Sequence, residues 1–149
     1  LIVKFWNVFG IEKDMEKAHV ITDFIAKGFD SGVIDMMTDG TEEREFLYAE
    51  DCCEALETIM GCYDQFSSTD ELHITTGVST SILEIAQNIQ SLFKSIGKEI
   101  KISPSSSKDE VQKDARNIPD PYIRKWWTPK TTVVDGISKV FDEIKLEYL

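Results

Sequence analysis

One arginine sits where an acidic segment turns a corner. Along Thr38-Asp39-Gly40-Thr41-Glu42-Glu43-Arg44-Glu45-Phe46-Leu47-Tyr48-Ala49-Glu50-Asp51, the turn pair Asp39-Gly40 precedes Arg44, a short apolar stretch and the acidic start of an amphipathic helix. Arginine is scarce in this chain: Arg44, Arg116 and Arg124 are the only three. A guanidinium is a planar fork that grips a phosphate at two points. Arg44, at the mouth of a strand, is therefore read as a phosphate clamp. The competing reading is a surface ion pair with Glu42, Glu43 or Glu45, worth about 0–1 kcal/mol.

Composition narrows what such a clamp could serve. A chain of 149 residues with 42% hydrophobic and 10% aromatic content is expected to fold as one domain with a real core. The net charge of −11 argues against nucleic acid and anionic membranes as partners, since both call for a basic face. No apolar run approaches the ~20 residues of a membrane span. Leu1 to Trp6 carry no basic leader or small-residue cleavage site, so no signal peptide is expected. Cys52, Cys53 and Cys62 lack metal-ligand spacing, and no metal site is expected. Cys52 and Cys62 read as buried small hydrophobes in a reducing compartment, which makes a cytoplasmic location the expectation.

The elements that must position Arg44 alternate between strand and helix. Leu1-Ile2-Val3-Lys4-Phe5-Trp6 is nearly continuous apolar, the mark of a parallel strand covered on both faces. A helix is expected near 19–27, with Val20, Ile21, Phe24 and Ile25 inward and Gly28 as its stop. Val33–Met37 and Glu45–Tyr48 read as strands flanking the Asp39-Gly40 turn. Asp51 is expected to cap a helix reaching about Tyr63, with Ala55, Leu56, Ile59 and Met60 inward. His73 to Gly77 reads as a strand. Ser81 and Glu84 form a capping box before a stripe of Ile82, Ile85, Ile89, Leu92, Phe93 and Ile96 that Gly97 ends. Glu99–Ser103 is a further strand, followed by a polar loop. Thr132 and Asp135 open a last helix with Val133, Ile137, Val140, Phe141 and Ile144 inward. The fold class is α/β. Its first residues already lie in a core-type strand with too few strands after it, so the chain reads as the carboxyl-terminal part of a larger α/β unit.

Five phrases occur in an order that resembles one family: Phe5-Trp6-Asn7-Val8-Phe9-Gly10; His19-Val20-Ile21-Thr22-Asp23-Phe24-Ile25; Asp39-Gly40-Thr41 through Arg44-Glu45-Phe46-Leu47-Tyr48 to Asp51-Cys52 and Glu54-Ala55; Thr76-Gly77 before a helix; and Trp127-Thr128-Pro129-Lys130-Thr131-Thr132 through Gly136-Ile137. Together they resemble the carboxyl half of the NAD-dependent epimerase/dehydratase family, the extended short-chain dehydrogenase/reductases. The wording is nearest the GDP-fucose synthase branch. The resemblance implies a substrate-binding portion, with the last Rossmann strands in residues 1–10 and a small mixed sheet plus helices in 11–149. It also implies NAD or NADP as cofactor, held mainly by an amino-terminal Rossmann half that would be the complementary partner, and a nucleotide sugar as substrate. The family's glycine fingerprint and tyrosine-x-x-x-lysine pair do not occur in this chain, so the chain alone is expected to show no turnover.

By the same resemblance, Phe5, Trp6, Asn7, Val8 and His19 would lie beside the nicotinamide. Asn7, Lys27, Arg44 and Arg116 would contact substrate. His19 would serve as a proton donor, a role for which imidazole's unperturbed pKa near neutrality is suited. Trp126 and Trp127 read as packing residues rather than a stacking platform. Several positions depart from the family pattern: Ile11 and Thr22 replace prolines, Thr38 a glycine and Lys4 an arginine, and Ser105–Asp114 does not match the branch's substrate loop. The alternative is a non-catalytic module of the same ancestry that binds a nucleotide sugar or a protein.

Overall fold

Side chains prone to extended structure set the first strand, and its partner comes from the middle of the chain. The computed structural model describes residues 1–14, 17–109 and 118–148. Strand β1 (Ile2–Phe5) runs parallel to β6 (Glu71–Ile74), with Ile2 opposite Glu71 and Phe5 opposite Ile74. Two further parallel ladders join β2 (Val8–Phe9) to β5 (Leu47–Tyr48) and β3 (Val33–Asp35) to β8 (Lys101–Ser103). An antiparallel ladder joins β4 (Glu43–Glu45) to β7 (Ser79–Ser81). The strands flanking Asp39-Gly40 therefore pair with different partners and not with each other. The parallel direction of β1 agrees with its apolar run, but the expected cover does not: Ile2 is 55% and Phe5 52% exposed. Among the described residues β1 is paired along one edge only, so nothing shields its other side.

The helices follow their apolar stripes, with four local corrections. Helix α1 (Val20–Asp30) buries Ile21, Phe24 and Ile25, but it runs through Gly28. Gly28 is there because the Phe93 ring lies against it: a Cβ would stand 2.2 Å from Phe93 Cε2. The chain turns instead at Ser31-Gly32, where Gly32 takes the left-handed φ of 70° that glycine tolerates best. Helix α2 (Ala49–Gly61) has Tyr48, not Asp51, at its N-cap. Asp51 lies in the first turn, 3% exposed, and accepts the backbone N–H groups of Lys130 (3.2 Å) and Thr131 (2.8 Å). Met60 is 76% exposed because Ala55 and Ile59 define the inward row of α2 and Met60 falls beside it. Helix α3 (Ile82–Ser95) carries the expected capping box, whereas Ile96 lies past its last turn and is exposed. Thr132 caps helix α4 (Val133–Glu147) by accepting the Asp135 N–H.

Two cores result, and the short β2–β5 ladder separates them. One lies among α1, α3 and α4 and includes Phe9, Phe46 and Tyr48. Phe93 is fully buried there, 4.9 Å from the Phe141 ring, a burial worth about 1.5–3 kcal/mol. The other packs Ala55 and Ile59 of α2 against Leu72 and Ile74 of β6, with Leu47, Cys52, Ile123 and Trp127. Alternation along the strands explains the division: Phe9 and Tyr48 face the first core, Val8 and Leu47 the second. Trp127 is buried, and Trp126 packs 4.8 Å from Phe66 and 5.1 Å from Tyr122, so both tryptophans serve packing.

The Gly28–Phe93 contact gives a stability test. Alanine gains up to about 1 kcal/mol of helix propensity over glycine, but overpacking a filled core costs about 1–3 kcal/mol. Gly28→Ala is expected to lower the urea midpoint. Gly61→Ala, at a helical glycine with open space around it, is expected to hold or raise that midpoint. A Gly28→Ala midpoint at or above that of the unaltered protein contradicts the contact.

Candidate functional site

The site begins where β1 ends. Asn7 follows that strand and takes a φ of 34°, the one left-handed non-glycine residue among those described. Such a conformation costs on the order of 1–3 kcal/mol and persists only where its surroundings enforce it. Here they do so twice. The Asn7 side-chain amide donates to the Glu45 carbonyl at 3.1 Å, and the Leu47 N–H donates to the Asn7 carbonyl at 3.2 Å. These bonds seat the end of β1 against β4, the strand that carries Arg44, and against β5.

A cavity of about 380 Å³ opens at this junction. Asn7 and Val8 line one side, His19 and Val20 another, Arg44 and Phe46 a third. The lining residues come from four separate stretches of chain, Ile82 at the start of α3 being the fourth. Phe5 and Trp6, expected beside Asn7, do not line the cavity: Phe5 points to solvent and the Trp6 ring packs 5.6 Å from His73.

Arg44 is not isolated. Its guanidinium donates to the Glu43 carbonyl at 2.8 Å and pairs with the Asp109 carboxylate, both side chains being largely buried (15% and 19% exposed). The partner is thus neither Glu42, Glu43 nor Glu45 but a loop carboxylate 65 positions away. No local spacing signals that pair; only the return of the polar loop to the β4 edge creates it. Among the described residues two of the five guanidinium donors are engaged, one of them in a charge-assisted bond.

His19 stands at the N-cap of α1. Glu12 holds it from both ends of a short loop: one oxygen accepts the His19 backbone N–H at 2.9 Å and the other contacts Nδ1. An ionised carboxylate only accepts, so this contact places a proton on Nδ1 and leaves Nε2 as the ring's second position. Burial raises the Glu12 pKa, but hydrogen bonds from the His19 ring, the His19 N–H and Thr22 outweigh it and leave the carboxyl below its ordinary value. Sequence reading passed over Glu12 because a lone glutamate in an acidic chain carries no spacing signal.

Lys27 lies elsewhere. Its ammonium bonds Asp23 at 2.8 Å and the Asp35 carbonyl at 3.1 Å, in a neighbouring cavity of about 400 Å³. Val20 and Ile82 belong to the walls of both cavities. Glu42 also lines the second one; one oxygen accepts from Thr38 Oγ1 at 2.5 Å and the other is buried without a partner among the described residues. Arg116 lies outside the described residues. No group of three or more metal-ligating side chains occurs among the described residues, and no helix there is long and apolar enough to cross a membrane. The described cysteines are free; Cys52 is buried, Cys62 half-buried and Cys53 exposed.

Comparison with known proteins sets this arrangement beside one family. Residues 1–74 match the model of the NAD dependent epimerase/dehydratase family. The chain is 28% identical over 134 residues to a GDP-L-fucose synthase of Sinorhizobium fredii, covering 87% of this chain and 41% of the relative. It is 24% identical over 148 residues to UDP-glucuronic acid decarboxylase 6 of Arabidopsis thaliana, covering 97% and 40%. The chain thus spans about two-fifths of the length of the curated relatives it matches. Among solved structures, an epimerase of Methanothermobacter thermautotrophicus superposes with a TM-score of 0.79 at 17% identity, over 98% of this chain and 43% of that one. That likeness shows the fold: α/β, with parallel strands and helices, as part of a Rossmann-type unit.

The Glu12–His19 contact makes a pH prediction. A carboxyl whose folded pKa lies below its unfolded value stabilises fully above the unfolded value and loses that contribution as pH falls through the folded one. Thermal unfolding followed from neutral pH down through about pH 4.5, the ordinary glutamate value, is expected to fall less steeply for Glu12→Gln than for the unaltered protein. Identical pH profiles contradict the contact.

Proposed function

We propose that this chain is the substrate-binding portion of an NAD(P)-dependent nucleotide-sugar epimerase, dehydratase or reductase, similar in kind to GDP-fucose synthase. One observation carries the reading: Asn7, His19 and Arg44 meet in a single cavity at the carboxyl end of a parallel strand. Ligands of open α/β sheets bind at that end of the strands. The relatives' names speak of GDP- and UDP-linked sugars, whose shared element is a diphosphate.

In this reading Arg44 grips the diphosphate, with the phosphate taking the place of Asp109 on the guanidinium. The adjoining cavity, with Lys27, Met36 and Glu42, receives the nucleoside. His19 exchanges a proton through Nε2 while Glu12 holds Nδ1. Val8 and the strained Asn7 turn form the surface beside the nicotinamide, which, when bound, takes and returns a hydride. The residues of this chain fit one edge of that cofactor: they offer a strand-end turn and a cavity wall. The pyrophosphate cradle falls to a complementary Rossmann half, docked along the unpaired edge of β1, where Ile2 and Phe5 are exposed.

Calorimetric titration of the full protein with GDP- and UDP-sugars tests the proposal. Losing a charge-assisted bond of about 1.5–3 kcal/mol, Arg44→Ala is expected to weaken binding by roughly 10- to 100-fold. Asp109→Asn, which removes the competing carboxylate, is expected to tighten binding. Affinity unchanged in Arg44→Ala refutes the clamp.

A further inference from the structure

A cavity larger than the one at Asn7 lies away from Arg44. It measures about 690 Å³ and shares no lining residue with the cavity at Asn7. Antiparallel β4–β7 runs between the two, with Thr80 in the wall of one directly opposite Arg44 in the wall of the other. Its volume falls within the range of about 300–1,000 Å³ usual for small-molecule sites.

Arg124 is its cation. It lies on the 3₁₀ turn Pro121–Lys125, is half-buried, and spends one nitrogen on the Thr75 carbonyl at 2.8 Å. No carboxylate among the described residues comes within ion-pair distance of it, whereas Arg44 and Lys27 each have one. Lys130, in the same wall, has its ammonium turned onto Glu54 at 2.8 Å. Burial depresses the Arg124 pKa, and the field of Glu45 only partly opposes this, so the charge sits in surroundings that would gain from an anion.

The rest of the wall says what kind of anion. Thr80, Gln87 and Asn88 present a hydroxyl and two amides, groups that pair with hydroxylated ligands. Glu84 also borders the cavity, but its carboxylate is held by the Ser81 N–H and hydroxyl, each at 2.8 Å. Val133 and Val134 open α4, and their backbone N–H groups have no partner within that helix. We propose that this cavity is a second ligand site, which binds a small sugar acid or sugar phosphate with its oxyanion on Arg124 and its hydroxyls on Thr80, Gln87 and Asn88. The shared chemistry is one oxyanion on a hydroxylated body.

Titration of the full chain with glucose 6-phosphate, glucuronate and neutral glucose tests the site. Saturable binding is expected for at least one of the anions, glucose being at least tenfold weaker; the stronger anion tells phosphate from carboxylate. Arg124→Gln is expected to weaken the anion at least tenfold. Because Arg124 also supports the Thr75 carbonyl, Val134→Trp provides a second block at an exposed position on the cavity wall, with the same loss expected. Arg44→Ala is expected to leave anion binding intact. The proposal is overturned if neither anion binds, if binding survives both Arg124→Gln and Val134→Trp, or if Arg44→Ala alone removes it.

Discussion

Two hydrogen bonds around a left-handed asparagine hold the site together. The Asn7 amide on the Glu45 carbonyl and the Leu47 N–H on the Asn7 carbonyl stitch the end of β1 to the β4–β5 segment. Without them the chain after Phe5 has no reason to accept a φ of 34°, and the cavity wall that faces Arg44 loses its edge. The same segment belongs to both cores, with Tyr48 packed on Phe9 at 5.6 Å and Leu47 packed on the opposite side. The strain is thus held by packing on two faces, and a rigid turn is placed where the parallel strands end.

Charge follows a second constraint. In a chain of net charge −11, the cations at the paired cavities are already partnered: Arg44 with Asp109, Lys27 with Asp23. A buried pair recovers its desolvation cost only where its geometry is good, and in the proposed function an incoming phosphate takes the place of the Asp109 carboxylate on Arg44. Arg124 stands apart because no described carboxylate reaches it.

Much of the fold was legible because it rests on local chemistry. The Ser81–Glu84 capping box and the Thr132–Asp135 cap stand where the residue spacing puts them. The apolar stripes of α1, α3 and α4 were readable for the same reason. What misled were residues with two plausible jobs. Gly28 looks like a helix stop and is a contact surface for Phe93; Asp51 looks like a cap and instead receives the backbone before α4. The candidate site was legible in part. Asn7, His19 and Arg44 stand out in the sequence and line one cavity, whereas Glu12, Asp109 and Arg124 acquire meaning only through the contacts and burial of the folded chain. The expected neighbours Phe5 and Trp6 do not line the cavity, since Phe5 is exposed and Trp6 packs on His73. Lys27 falls in the adjoining cavity because the Asp23 and Asp35 contacts fix it along α1.

A crystal structure of the full protein with a bound nucleoside-diphosphate sugar decides whether Arg44 holds phosphate. A phosphate oxygen is expected within about 3 Å of an Arg44 nitrogen, with the Asp109 pair opened to admit it. A diphosphate bound elsewhere, with Arg44 still on Asp109, would contradict that expectation.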